Sequence, residues 1–478
     1  MKKIFTLLTL LFISAITYSQ VAWNMAMNVA LPSYGNAHPR IVTNAAGDPI
    51  ILWNDAMNAM YSRWNGSSFT APVALNPAPM PIAGASWMGP DIAAKGDTIY
   101  VVFKIMPEAD TSSHIYIMRS FDGGSTFLTP VQVDQIGDSI SRFPAVTVDD
   151  SGNPIVAFMK FDNTFMDSRW VVTRSNDFGN SFNTDIKVSG FNGSTAVCDC
   201  CPGGLASAGN TLMMLYRDNN INIRDMWAGV STDNGNSFSS GMPVDQNSWQ
   251  VFSCASSGPD AVITGDSVYT VYMSGANGST RVYFSISSIL NLSGGIGNEI
   301  TGPFPGLGVQ NYPRIATDGT AMGIVWKQSV SGNDQAALMF TNDHSTGFPL
   351  SYDTVDLGDV TNVDIAMSNG NIFVVWEDDG TGSVKFRSGT YNTLSGIGNI
   401  YSAPVSVIPT LTNNFVDISG TQLNARLSIT DAMGRTVVNK ILSSESNLQS
   451  LEHLQNGIYF LTIENGSQKP FTTKIIKY

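Results

Sequence analysis

Four cysteines are the residues whose spacing points most directly to chemistry. Three stand in Cys198-Asp-Cys200-Cys201-Pro, and the fourth is Cys254 in Ser-Cys-Ala-Ser-Ser-Gly-Pro. An even count in an exported chain suggests two disulfides. One would join Cys254 to the cluster, and the other would close within Cys-x-Cys-Cys, a strained and reducible span. Three or four thiolates could instead hold zinc or copper, the one cofactor this sequence suggests. Free or redox-active thiols are the third reading. Between the two segments lie Arg217-Asp218 and Arg224-Asp225, and Trp249 precedes Cys254 by five residues. Those charges read either as pairs that stiffen a loop or as an arginine clamp for a carboxylate or sulfate. Arg40, Arg142, Arg281 and Arg314 are the further candidates for such a clamp.

Other chemistry has little support. The four histidines (His38, His114, His344 and His453) show no paired spacing for a metal. There is no nucleophile-elbow serine, Walker loop or dinucleotide fingerprint. A net charge of -13 argues against nucleic acid and anionic membrane surfaces as partners.

The elements that must position these residues repeat along the chain. Ser-x-Asp-x-Gly-x-x-Phe occurs at Ser120 to Phe127, Ser175 to Phe182 and Ser231 to Phe238, about 55 residues apart. Weaker copies at Ser62 and Thr341, with Ser285 and Ser388 on the same grid, extend it to seven registers. A Pro-x-Ile/Val landmark has the same period, as in Pro39-Arg-Ile, Pro90-Asp-Ile, Pro144-Ala-Val, Pro259-Asp-Ala and Pro313-Arg-Ile. Pro202 and Val363 fill the remaining slots. An apolar strand follows each: Ile50 to Trp53, Tyr100 to Phe103, Ile155 to Phe158, Met213 to Tyr216, Tyr269 to Tyr272, Gly323 to Trp326 and Phe373 to Trp376. Such continuous runs read as strands buried on both faces. About four strands per repeat predict an all-β β-propeller over 21–405. The count is seven blades, with six as the alternative because the last repeat is short. A strand near Ala26 to Leu31 is expected to help close the ring.

The octapeptide resembles the Asp box of sialidase-like (BNR) propellers. Asp122, Asp177 and Asp233 are then turn-forming structural residues. The boxes join strands three and four of a blade, so ligand residues belong on the opposite face, around the channel. That face receives His38, Arg40, Trp87, Asp91, Arg142 and Arg314, and also the cysteine-rich entrances of blades four and five. The resemblance implies three arginines on a substrate carboxylate, a Tyr nucleophile with a Glu, and an Asp acid/base. This chain lacks the family's Arg-Ile-Pro element, and Glu108 and Glu377 are the only clear glutamates on the predicted face. The reading is therefore a propeller that binds an extracellular glycan or protein through rim loops. A sialidase-like exo-glycosidase is the alternative, and a metal- or redox-linked role of the cysteines is the third.

The two ends carry addresses. Residues 1–20 have a basic start, an apolar Ile4 to Ile16 run and a small polar end, a secretory signal. No later segment reaches 18 unbroken apolar residues, so no transmembrane segment is expected in the mature chain. Residues 406–478 turn to short alternating strands expected to form a small β-sandwich. Leu427-Ser-Ile-Thr-Asp431-Ala-Met-Gly434-Arg435, Leu454-Gln-Asn-Gly457-Ile-Tyr459-Phe and Lys474-Ile-Ile-Lys477-Tyr resemble the type IX secretion sorting domain of Bacteroidetes-type bacteria. That resemblance implies the type IX machinery as partner, and a secreted or outer-surface location reached through the periplasm.

Overall fold

The computed structural model describes residues 20–33, 35–291, 294–295, 297–393, 406–408, 411–419, 425–442, 446–464 and 471–478. The expected signal segment lies outside these residues apart from Gln20. The chain divides into two compact units, Met1–Leu394 and Ser395–Tyr478.

Among the described residues the first unit holds seven sheets, six of four strands and one of five. Each four-stranded sheet runs in simple sequence order. The first strands are Asn36–Thr43, Asp91–Lys95, Ile140–Val148, Gly204–Ala208, Asp260–Thr264, Leu307–Thr317 and Val360–Ser368. They touch one another in cyclic order, the last against the first. The result is a propeller whose first strands line the centre.

The apolar runs become the second strands, and their pleat explains why they are continuous. Successive side chains point to opposite faces, and each face meets a different neighbouring blade. Ile50 and Leu52 pack with Ile99, Val101 and Phe103 of the second blade. Ile51 and Trp53 pack with Phe373 and Val375 of the seventh. Each such burial contributes roughly 1.5–3 kcal/mol. Trp53 and Trp326 lie fully inside, and their indole N–H groups donate to Asn36 Oδ1 at 2.8 Å and Gln328 Oε1 at 2.9 Å.

The octapeptides form tight turns between third and fourth strands. Asp122 Oδ1 accepts from Thr126 N at 2.9 Å, and Ser120 Oγ accepts from Gly124 N at 2.9 Å. Asp177 and Asp233 repeat the pattern with Ser181 and Ser237, each at 2.9 Å. Gly124, Gly179 and Gly235 have φ of 79°, 80° and 78°, which glycine adopts without strain. Phe127 then packs edge-on against Tyr61 of the previous blade, at 5.2 Å.

Closure uses the expected stretch and, ahead of it, a further strand. Val21–Trp23 supplies the outer strand of the seventh sheet, pairing Val21 with Tyr391 and Trp23 with Gly389. Only Met27–Asn28 of the expected Ala26 to Leu31 stretch pairs, with Phe386 and Lys385. A side chain at 389 would come within 2.5 Å of Val21, so a glycine there allows the strand to seat.

Among the described residues the second unit holds two sheets. One contains Ser406–Ile408, Phe415–Ser419 and Ser446–Ser450, and the other is built around Arg426–Asp431, Gly457–Glu464 and Phe471–Lys477. Val416 and Ile418 of the first share a core with Leu427, Leu461, Ile463 and Ile475 of the second. Asp431 caps its own hairpin turn by accepting from Met433 N and Arg435 N, both at 2.9 Å.

Candidate functional site

Seven equivalent positions form the floor of the propeller's centre. Each first strand places one residue opposite the third residue of its apolar run. The pairs are Arg40 with Leu52, Asp91 with Val102, Ala145 with Ala157, Gly204 with Leu215, Asp260 with Val271, Arg314 with Val325 and Asp364 with Val375. All seven line a cavity of about 210 Å3.

The charged members are set against one another across the blades. Arg40 lies 3.9 Å from Asp91, and Arg314 lies 3.7 Å from Asp260 and 3.8 Å from Asp364. The carboxylates also tie neighbouring blades. Asp91 accepts from Val146 N at 2.9 Å, Asp260 from Ile315 N at 3.0 Å and Asp364 from Ile41 N at 3.0 Å. Burial pushes the Asp91 and Asp260 carboxyls up, against the pull of the arginines. Burial, then the nearby Arg314, brings Arg40 down to about 10. Burial also opposes charge on Arg314, but Asp260, Asp364 and Asp91 outweigh it.

Above the floor stands a collar of strained residues. His38, Phe143, Tyr312 and Asn362 each sit two residues before a floor position, with φ of 55°, 50°, 51° and 46°. The first strands of these four blades shift register there, as bulges do. Left-handed backbone at a bulky residue costs about 1–3 kcal/mol and concentrates where side chains must be re-aimed. All four line the cavity.

His38 Nε2 lies 2.6 Å from Arg40 Nη2. A guanidinium only donates, so Nε2 accepts and the ring proton sits on Nδ1. Burial, reinforced by Arg40 and Arg314, holds this imidazole neutral, well below its ordinary value. Glu377 backs the collar. Its Oε2 accepts from His38 N at 3.1 Å and Asn362 Nδ2 at 2.8 Å. Burial raises the Glu377 carboxyl to about 7, and the adjacent Asp379 adds to the effect. The Tyr312 phenol is raised by burial and by the charges of Glu377 and Asp379. Trp87 lines the cavity and remains 37% exposed.

Only part of the arginine set meets here. Arg40 and Arg314 face the cavity together. Arg142 pairs instead with Glu108 and lies over the rings of Phe143 and Phe165, at 4.5 and 5.2 Å. Arg281 donates to the carbonyls of Thr280 and Gly308. Arg217 is fully buried and donates to the carbonyls of Arg224, Ser257 and Met273, with Trp249 5.0 Å from its guanidinium. Arg224 turns to the Cys198 sulfur at 3.2 Å. The Arg-Asp neighbours in sequence form no ion pairs with each other among the described residues, which corrects the reading of those charges as pairs that stiffen a loop. Asp218 accepts from Asn192 and Asp225 from Trp249 N, so each carboxylate is taken up by a partner from outside its own Arg-Asp pair. The four cysteines are all unbonded thiols here, with Cys198 and Cys200 sulfurs 3.6 Å apart.

Asp260, Asp364, Tyr312 and Asn362 were missed as site residues in the sequence. Asp260 and Asp364 occupy the slot that holds Arg40, Asp91 and Arg314 in other repeats, so aligning the repeats would have found them; Tyr312 and Asn362 have no such signal.

Residues 400–478 match the secretion system C-terminal sorting domain family. The chain therefore carries a type IX sorting tail and is a secreted or cell-surface protein. No helix among the described residues is long and apolar enough to cross a membrane. No curated protein matches the chain. Among solved structures, a Hadza microbial sialidase is 13% identical, covering 77% of this chain and 68% of its own at a TM-score of 0.45. An α-L-arabinanase of Penicillium chrysogenum, solved with arabinobiose, is 13% identical over 77% of this chain and 98% of its own, at 0.46. An ulvan lyase of polysaccharide lyase family PL25 is 9% identical over 78% and 95%, at 0.47.

Proposed function

We propose that this exported chain binds the end of an extracellular glycan in the central cavity of its propeller. The observation that carries the reading is the floor. Two arginines stand against three aspartates, so the floor offers many hydrogen-bonding groups and no surplus positive charge. Arg314 is held at 3.7 and 3.8 Å from its carboxylates, longer than a hydrogen bond, so its N–H groups can still donate to a ligand hydroxyl. Trp87 offers a partly exposed ring for the apolar face of a sugar. A cavity of about 210 Å3 suits one sugar ring rather than an extended chain. This set favours a neutral sugar over a carboxylate-bearing one, because an added anion would face a floor of net negative charge.

Binding of the purified mature chain to a glycan array, followed by calorimetry on the hits, tests the proposal. Trp87→Ala and Arg314→Gln are each expected to weaken binding tenfold or more, since one buried hydrogen bond or stacking contact is worth about 1–2 kcal/mol. Binding to proteins only, or hits that both variants leave unchanged, would overturn it.

A second reading rests on Glu377. A carboxyl raised to about 7, behind the collar and near enough for its charge to raise the cavity phenol Tyr312, has the proton affinity that transfer near neutral pH requires. Release of aryl leaving groups from a glycoside panel, abolished in Glu377→Gln, would convert the binder into a glycoside-cleaving enzyme. The two-arginine floor does not supply the three-arginine clamp that sialidase chemistry implies.

A further inference from the structure

The cysteine cluster at the entrance of blade four is a second feature of the propeller's centre, distinct from the charged floor. Cys198 and Cys201 are buried and Cys200 is half-buried. Their three sulfurs all lie within 4.8 Å of one another, and Cys198 and Cys200 are 3.6 Å apart. A zinc–thiolate bond is about 2.3 Å, so sulfurs sharing one ion lie about 3.8 Å apart in a tetrahedron and about 4.0 Å in a trigonal plane. A disulfide needs about 2.05 Å. The triangle therefore has the dimensions of a metal site rather than of a cross-link.

The surroundings hold that triangle in place. Cys198 N donates to the Arg217 carbonyl at 3.0 Å, and Cys201 N donates to the Cys198 carbonyl at 3.3 Å, so the segment is a fixed turn. Arg217, fully buried, reaches across to the Ser257 carbonyl and anchors the entrance of blade five. The two entrances are pressed together at Gly258, where a side chain would come within 2.2 Å of the Pro202 carbonyl. Cys254 rides on that second entrance and is exposed, outside the triangle of three sulfurs but on the segment pressed against it. Arg224 Nη1 lies 3.2 Å from the Cys198 sulfur and 4.0 Å from that of Cys200. A guanidinium against sulfur offsets the surplus negative charge that three or four thiolates carry on a zinc or copper(I) ion.

We propose that Cys198, Cys200 and Cys201 bind one thiophilic d10 metal ion, zinc or copper(I), with Cys254 as fourth ligand, clipping the entrance of blade four to that of blade five. Soft thiolates select these ions over calcium, magnesium or manganese. Each thiol that ligates releases its proton to solvent. Cys201 immediately precedes Pro202 and Cys254 lies two residues before Ser256, both in the cavity wall. The ion would thus fix the wall of the central cavity on the side away from His38 and Glu377.

The test uses the mature chain, reduced, chelator-treated and kept anaerobic. Titration with zinc, and separately with copper(I), should give one equivalent bound per chain, with proton release. Competition between the two ions identifies the one preferred. Cobalt(II) should give a thiolate charge-transfer band, lost in Cys200→Ser. Cys254→Ser should weaken binding tenfold or more, and Arg224→Gln should weaken it severalfold. In the unaltered chain, bound metal should slow alkylation of Cys200 and Cys254, a readout that holds even if a variant fails to fold. Less than a tenth of an equivalent bound by the reduced, folded chain would overturn the proposal. So would two disulfides, by non-reducing mass spectrometry, in chain isolated from its own secretion medium.

Discussion

Asp364 accepts a hydrogen bond from the backbone N–H of Ile41 at 3.0 Å, so the last blade is tied to the first at the floor of the cavity. The same carboxylate lies 3.8 Å from Arg314. Removing it leaves a buried N–H without an acceptor and a buried guanidinium with one partner fewer. Asp364→Ala should cost about 3 kcal/mol in urea denaturation. Asp364→Asn keeps an acceptor and should cost about 1 kcal/mol. Equal losses in the two variants would show that the N–H acceptor is irrelevant.

Glu377 should make stability fall with rising pH. Its carboxyl is raised from 4.5 to about 7 in the folded chain, chiefly by burial. The folded state therefore holds the proton more tightly than the unfolded chain does. That contribution is complete below pH 4.5 and is lost as pH rises through about 7. Glu377→Gln retains the acceptor for His38 and Asn362 and should remove this slope, a difference of up to about 3 kcal/mol by pH 8. Parallel pH profiles for the two proteins would refute the assignment.

The aspartates of the repeated octapeptide should titrate in the opposite sense. Hydrogen bonds from Thr126 and Ser120 hold Asp122 down to about 2, and bonds from Ser237 and Ser231 hold Asp233 to about 2. Their contribution is present above the ordinary carboxyl range and disappears as pH falls toward 2. Thermal melts between pH 5 and 2 should show this loss, reduced in Asp122→Asn.

The glycine of the same turn gives a sharper steric test. Gly124 has φ of 79°, and a methyl there would lie 2.1 Å from Tyr61 Oη, which itself donates to the Gly124 carbonyl at 2.6 Å. Gly124→Ala should destabilise by about 3 kcal/mol, and Tyr61→Phe should recover part of that loss in the double variant. Simple additivity would count against the contact.

Much of this molecule was legible in its sequence because the repeats print the same physical demand many times. The second strands had to be apolar on both faces, so runs such as Tyr100 to Phe103 and Phe373 to Trp376 could be read without a structure. Ser, Asp and Gly of the box report local turn bonds, and local bonds leave local signatures. The floor was half-legible. Arg40, Asp91 and Arg314 were singled out as channel residues, while Asp260 and Asp364, in the same slot of their own repeats, were overlooked. The collar was not legible at all. The positive φ of Tyr312 or Asn362 depends on a bulge in strand register, which no residue type announces. Arg217 and Arg224 misled for a related reason. Adjacent charges suggested pairs, but each side chain meets groups brought in from distant parts of the chain, Arg217 the Ser257 and Met273 carbonyls and Arg224 the Cys198 sulfur.

The outer strand Val21–Trp23 has a consequence for the order of events during export. It is the first described strand of the chain, yet its partner is Ser383–Tyr391, some 370 residues later. A polypeptide delivered amino end first must leave this strand idle until almost the whole propeller has emerged. Folding therefore cannot finish vectorially, blade after blade. The ring is locked in one late, long-range step, and a chain lacking residues 20–28 should build its blades and remain open at the seventh, prone to join another chain through the bare edge.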